Sequence, residues 1–275
     1  MSSRIARHFG GGGDVAAIAA AHATLDLGAA YDFYGPEDAR AILVDIWGNP
    51  PSAADGVLGL VLPAGVTPVS DTWGAVVTYE NSGYVSDDDA ATTDYAELLT
   101  KLKEGTEDAN EGRKSQGYPA MHLQGWAESP RYDKASHSVV WATDLKFEDA
   151  AIDTLNYDVR ALGRNGVLSL NFLSGMPQLP KIKTAATSFA SHASFDPGFA
   201  YADFDPNIDK KAEYGIGGLI AAGVGVAVAK KLGFLAVLLK FAKPLMVAVA
   251  AAVAAFRKKV GALFGRKEAD GEGVE

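Results

Sequence analysis

Residues 137–173 read HSVVWATDLKFEDAAIDTLNYDVRALGRNGVLSLNFL, and their alternation decides the fold. In 137–148, Val139, Trp141, Leu145 and Phe147 face one way, and Ser138, Asp144, Lys146 and Glu148 the other. In 155–162, Leu155, Tyr157, Val159 and Ala161 oppose Asn156, Asp158 and Arg160; in 166–173, Leu168, Leu170 and Phe172 recur at every second position. A period of two is that of an extended chain with one apolar side, so three strands are predicted. Arg164-Asn165-Gly166 supplies a hairpin turn, because Asn and Gly accept positive φ. Residues 121–127 precede them as another strand, with Met121, Leu123 and Ala127 on one face. Four successive strands joined by short turns imply an antiparallel meander and exclude a parallel doubly wound sheet.

Moving outward, 58–62 and 73–80 also read as strands, and short strands between 14 and 33 add to the sheet. Three helices interrupt them. The first spans 36–47: Pro36 suits its first position, Glu37 and Asp38 suit its dipole, and Ala39, Ile42, Leu43, Ile46 and Trp47 share a face. Gly48 and Pro50 stop it. The second spans 94 to about 116, with Tyr95, Leu98, Leu99, Leu102, Thr106 and Ala109 as its buried stripe and Glu97–Lys101 as an i,i+4 pair. Gly105 and Gly112 weaken it. The third, 180 to about 192, buries Ile182, Ala185, Ala186 and Phe189. The fold class is therefore α+β, a mainly antiparallel meander with helices on at least one face.

The chain has 275 residues, of which 48% are hydrophobic and 21% charged, a globular composition with ample core. It has no cysteine, which excludes disulfides, thiolate metal sites, iron–sulfur clusters and cysteine nucleophiles. The net charge of −9 argues against a nucleic-acid partner. Residues 1–213 hold 16 Lys+Arg against 30 Asp+Glu, and residues 214–275 hold 9 against 4. An acidic body is thus followed by a basic, apolar tail.

Residues 215–229 carry no charge for 15 positions, and 232–256 form a 25-residue apolar stretch broken by Lys240, Lys243 and Pro244. A span needs about 20 apolar residues. Two central lysines cost roughly 5–7 kcal/mol, and about a dozen Leu, Val, Phe and Met residues return roughly 4–7 kcal/mol. Snorkelling favours insertion further, so 232–256 reads as a transmembrane helix in contact with the lipid bilayer. A buried helical hairpin and a hairpin dipping into one leaflet are the alternatives. Gly217, Ala221, Gly225 and Ala229 lie four apart; such a row admits a close helix neighbour, and an Ala/Gly-rich segment also produces it by chance. Arg257, Lys258, Lys259, Arg266 and Lys267 after the span favour a cytoplasmic tail and an extracytoplasmic body; Lys230 and Lys231 pull the other way. The domains read as 1–13 disordered or a remnant signal or linker, 14–200 globular, 201–214 a polar connector, 215–256 apolar and membrane-bound, and 257–275 a basic then acidic tail. Arg4, Arg7 and His8 resemble a signal-peptide start, but Gly10–Gly13 and Asp14 interrupt the apolar core it needs.

Candidate site residues are few. His8, His22, His122, His137 and His192 form no spaced metal pair, and the chain has no GxSxG elbow or phosphate loop. Ser86-Asp87-Asp88-Asp89 could bind a hard cation, but helix capping is the better account of it. The stretch 203–209 opens like a calcium loop with Asp203, Asp205 and Asn207, then fails, because Ile208 holds the glycine position and Tyr214 the glutamate position. Trp126 is out of phase with Met121 and Leu123, pointing to another layer or a partner. No catalytic, cofactor or metal residue is assigned.

Several phrases together resemble a family of bacterial membrane-anchored proteins classed as domain of unknown function 2167. They are Trp47-Gly48-Asn49-Pro50-Pro51, Leu58-Gly59, Gly83-Tyr84-Val85 with Asp87 and Asp89, Gly117-Tyr118-Pro119 and Gly125-Trp126, followed by Leu155-Asn156-Tyr157, Leu162-Gly163-Arg164 with Gly166-Val167-Leu168, and Tyr201-Ala202-Asp203-Phe204. The resemblance runs from about Asp14 to Arg266. It implies an extracytoplasmic domain with a C-terminal anchor and carries over no functional residues; members usually begin with a signal peptide, and this chain departs there. The order of elements also resembles, at fold level, a PsbP/Mog1-like αβα sandwich. The expectation is a membrane-anchored α+β protein of the bacterial envelope whose acidic domain binds or organises other proteins. The alternatives are a divalent-metal enzyme using Asp87, Asp89 and Asp203, and a small-molecule or lipid-binding module.

Overall fold

The computed structural model describes residues 15–224 apart from 48, 50, 71 and 116. Its centre is a seven-stranded sheet in the order β3-β4-β5-β10-β9-β8-β7, every neighbouring pair antiparallel. The strands are β3 (Tyr31–Tyr34), β4 (Val57–Pro63), β5 (Gly74–Glu80), β7 (Met121–Asp133), β8 (Ser138–Phe147), β9 (Thr154–Leu162) and β10 (Val167–Gly175). β7 to β10 are the expected meander, and β10 then closes onto β5. A separate three-stranded sheet, β1 (Val15–Ile18), β2 (Ala23–Asp26) and β11 (Ala193–Phe195), contributes Ala16, Ile18, Ala23 and Leu25 to the same core. β6 (Tyr84–Ser86) pairs in parallel with β12 (Lys211–Gly215).

Helices cover both faces. One face carries α3 (Leu179–His192), whose Ile182, Ala185, Ala186 and Phe189 pack on Val140, Ala142, Tyr157, Val159, Leu168, Leu170 and Phe172. The other carries α2 (Tyr95–Ser115) and α4 (Ile216–Gly223) toward β7 and β8, and α1 (Pro36–Ala41) over β4. Double cover changes one expectation. Ser138, placed on the polar side of β8, is buried and bonds Ser136 Oγ at 2.8 Å. On β9, Asn156 and Asp158 are likewise buried. A polar phase marks a solvated face only where nothing packs on it.

Local differences have local causes. The hairpin at 163–166 is closed by Gly163 N donating to Gly166 O at 2.8 Å, yet neither Asn165 nor Gly166 has positive φ. Gly166 is needed for space instead, since a Cβ there would run into the Glu80 carbonyl of the next strand. α1 ends in a wider turn, Ile42–Ile46, in which Trp47 N bonds Ile42 O at 2.9 Å. α2 buries Leu102 and Thr106 as expected, but its second half turns Gly105, Asn110 and Arg113 inward. Asn110 explains part of this: it bonds the Met121 carbonyl and N–H, both at 2.9 Å, and fastens α2 to β7. β7 runs six residues past its predicted end, with three breaks in register and Pro130 within it.

The largest correction concerns 201–224. The expected connector begins with Tyr201, which is buried, and ends in β12. α4, the start of the expected membrane region, sinks Ile216, Leu219 and Ile220 into the same core as Trp141 and Val139. The folded unit therefore extends to at least Val224. Gly217, from the small-residue row, meets Asp89 and Thr93 within the domain. Residues 1–13, the expected helix over 232–256 and the tail 257–275 lie outside the described residues. Among the described residues no helix is long and apolar enough to cross a membrane.

Phe189 is fully buried between α3 and the sheet. Phe189→Ala is expected to cost about 3–5 kcal/mol, and Gly166→Ala about 1–3 kcal/mol through the forced shift of β5. Thermal unfolding of each variant checks both values.

Candidate functional site

At one end of the main sheet the turns gather. Leu162 N bonds His137 O at 2.9 Å, Gly83 N bonds Asn165 O at 3.0 Å, and Tyr84 N bonds Lys210 O at 2.8 Å. An isolated bridge joins Gly163 and Ala200. These bonds bring the β7–β8 turn, the β9–β10 turn, β6 and the 196–215 segment to one place.

Aromatic rings stack there in series. His137 lies on Tyr201 with centroids 4.3 Å apart, Tyr201 on Tyr84 at 4.4 Å, and Tyr84 on Phe204 at 3.9 Å. Lys211 Nζ caps the series 5.7 Å from the Phe204 ring. Tyr201 OH donates to Val85 O at 2.9 Å. The Tyr132 hydroxyl donates to Asp87 Oδ2 at 2.8 Å and lies 2.9 Å from His137 Nδ1. Burial, reinforced by the bond to Asp87, holds the Tyr132 phenol well above its ordinary pKa. His137 has φ of 47°, a left-handed conformation uncommon outside glycine.

The acidic stretch 86–89 divides its carboxylates. Asp87 serves Tyr132, and Asp88 accepts from Ser86 Oγ at 2.6 Å. Asp89 accepts from Ile216 N at 2.7 Å and Gly217 N at 3.0 Å. Capping is thus Asp89's role, but at α4, more than 120 residues onward. The nearer helix, α2, is capped by Asp94, which bonds Ala96 N and Glu97 N. Asp203 accepts from Ala200 N at 2.9 Å. Asp87, Asp89 and Asp203 therefore do not converge, and among the described residues no group of three or more His, Asp or Glu could hold a metal ion. In the calcium-like loop, Arg164 takes both oxygens of Asp209, Nε at 2.7 Å and Nη2 at 3.0 Å, and Asp205 binds Asn207. A guanidinium thus supplies the positive charge. It holds the Asp209 carboxyl below the usual carboxylate range.

The remaining expected residues have structural partners. His122 Nδ1 pairs with Glu107 at 2.7 Å, His192 Nδ1 lies 3.2 Å from Asp26 O, and His22 stacks on Phe199 at 3.7 Å. Trp126 Nε1 donates to Tyr95 O at 3.1 Å, so its other layer is the start of α2. His8 lies outside the described residues.

Sequence reading missed the buried polar strip across β8, β9 and β10. Arg160 donates twice to Asp158 Oδ1, at 2.7 and 3.2 Å, and once to Ser169 Oγ at 2.7 Å, while lying 5.4 Å over Trp141. Burial pushes the Asp158 carboxyl up, against the pull of Arg160. Trp141 Nε1 and Asn171 Oδ1 are buried without a hydrogen-bond partner. The signal was present as the alternation Asn156, Asp158, Arg160, but it reads equally well as a solvated face.

The layers define an α+β protein with an antiparallel sheet between helices. The chain belongs to the family described as "Protein of unknown function (DUF2167)", which matches residues 12–254. None of the curated proteins matches it. Among solved structures it is similar to the solution structure of cyanobacterial PsbP (CyanoP) from Synechocystis sp. PCC 6803. That likeness has 9% identity and a TM-score of 0.39, and covers 66% of this chain and 91% of that one.

Asp89→Ala leaves two helix N–H groups without an acceptor and is expected to destabilise the domain by about 1–3 kcal/mol, read as a lower unfolding temperature. For Asp209, a lowered folded-state pKa means that its stabilisation is present at neutral pH. That stabilisation is lost as pH falls below the ordinary carboxylate value of about 4. A carboxyl NMR titration should place the Asp209 midpoint below that value, and Arg164→Ala should raise it.

Proposed function

We propose that this is a membrane-anchored protein whose acidic, extracytoplasmic domain binds another protein of the bacterial envelope, with the hairpin end as its docking face. The supporting observation is the way the chain leaves the domain. α4 is not a tether: its first two N–H groups are held by Asp89, and Ile216, Leu219 and Ile220 are buried. A Cβ at Gly223 would press on Trp141 and Arg160, so the last turn lies against the sheet. The sequence continues from there into the apolar stretch 232–256. Only seven residues of sequence separate Val224 from that stretch, and a short connection to an anchor would restrict the domain's freedom and so lower the entropy lost on meeting a partner.

Charge supports the orientation. Five basic residues follow the apolar stretch, which favours a cytoplasmic tail. The acidic body favours a protein partner over nucleic acid. Protease added to intact spheroplasts is expected to digest a tagged domain, and in-cell crosslinking from the 133–137 turn to capture an envelope protein. Protection that ends only on lysis would overturn the reading, placing the domain in the cytoplasm.

A further inference from the structure

His137 is the half-exposed, ring-stacked imidazole at the hairpin end, and its hydrogen bonds decide which nitrogen carries the proton. Tyr132 has one hydroxyl proton. Asp87, as a carboxylate, can only accept, so that proton lies toward Oδ2 at 2.8 Å. The second contact, 2.9 Å from Tyr132 O to His137 Nδ1, is then a bond in which Nδ1–H donates. In the neutral ring this leaves the lone pair on Nε2. No described group bonds Nε2, and the stack on Tyr201 at 4.3 Å fixes the plane in which it points.

We infer that the Asp87–Tyr132–His137 chain makes His137 Nε2 a fixed hydrogen-bond acceptor, a binding point for a side-chain N–H or O–H donor on the protein partner. The other histidines differ in setting. His122 lies between two surface carboxylates, Glu107 and Glu148, and His192 bonds a backbone carbonyl. Only His137, among the described residues, has its proton set through a tyrosine and a carboxylate from a distant segment. The inference rests on the docking face proposed above, but Nε2 is probed with no partner present, so failure of one is distinguishable from failure of the other.

The test uses the full chain in detergent micelles, labelled with 15N-histidine, near pH ~8, where imidazoles are neutral. Long-range proton–nitrogen spectra should show His137 with a protonated Nδ1 and an unprotonated Nε2. Tyr132→Phe should return the ring to the Nε2–H form that free histidine prefers, with circular dichroism confirming that the variant is folded. Diethyl pyrocarbonate, whose carbonyl is attacked by the lone pair of an unprotonated ring nitrogen with loss of ethanol and carbon dioxide, should modify His137 in the wild-type chain. An Nε2–H ring in the wild type, a tautomer unchanged in folded Tyr132→Phe, or a His137 that stays unmodified while His22 reacts would each overturn the inference.

Discussion

Burial of the central strands on both faces is the constraint on which the rest depends. Val140 and Ala142 of β8 pack toward α3, while Val139 and Trp141, between and beside them, pack toward α4. With both sides removed from water, the polar groups of β8 to β10 are driven to partners within the protein, Trp141 Nε1, Asp144 Oδ1 and Asn171 Oδ1 excepted. Ser138 finds Ser136; Asp158 finds Arg160; Asn156 finds Asn171. The same demand recruits α4, whose apolar side chains complete the cover over Trp141.

The meander was legible because Leu155, Tyr157, Val159 and Ala161, and then Leu168, Leu170 and Phe172, keep a strict period of two. α3 was legible for a similar reason at helical spacing. What alternation cannot report is what lies on the second side. Asn156, Asp158 and Arg160 have the pattern of a wet face and occupy a dry one, because the cover arrives from residues 216–224, far along the chain. Hydropathy misassigned that cover too, since Ile216, Leu219 and Ile220 are as apolar in a core as they would be in lipid.

The hairpin end was the least legible part. Asp87, Tyr132, His137 and Tyr201 come from four separated segments, and nothing in their local sequence announces the meeting. The acidic run 86–89 was visible, and capping was the right kind of account for Asp89, but its helix could not be identified by proximity. Local sequence favoured α2, which Asp94 already caps. The 203–209 loop shows the converse: its departure from the calcium-loop pattern at Ile208 and Tyr214 is visible in the sequence, whereas the pairing of Asp209 with Arg164 required the fold.

β7 lies at the border of the main sheet, with three breaks in register and a proline that cannot donate to a neighbouring strand. A smooth border of that length would be a template for another chain to extend the sheet, and so for fibre growth. The interruptions tilt its free backbone groups out of line, and Pro130 removes one donor outright. Copies at high local concentration meet such an edge often. The irregularity of β7 is therefore a safeguard against self-assembly where crowding would otherwise promote it.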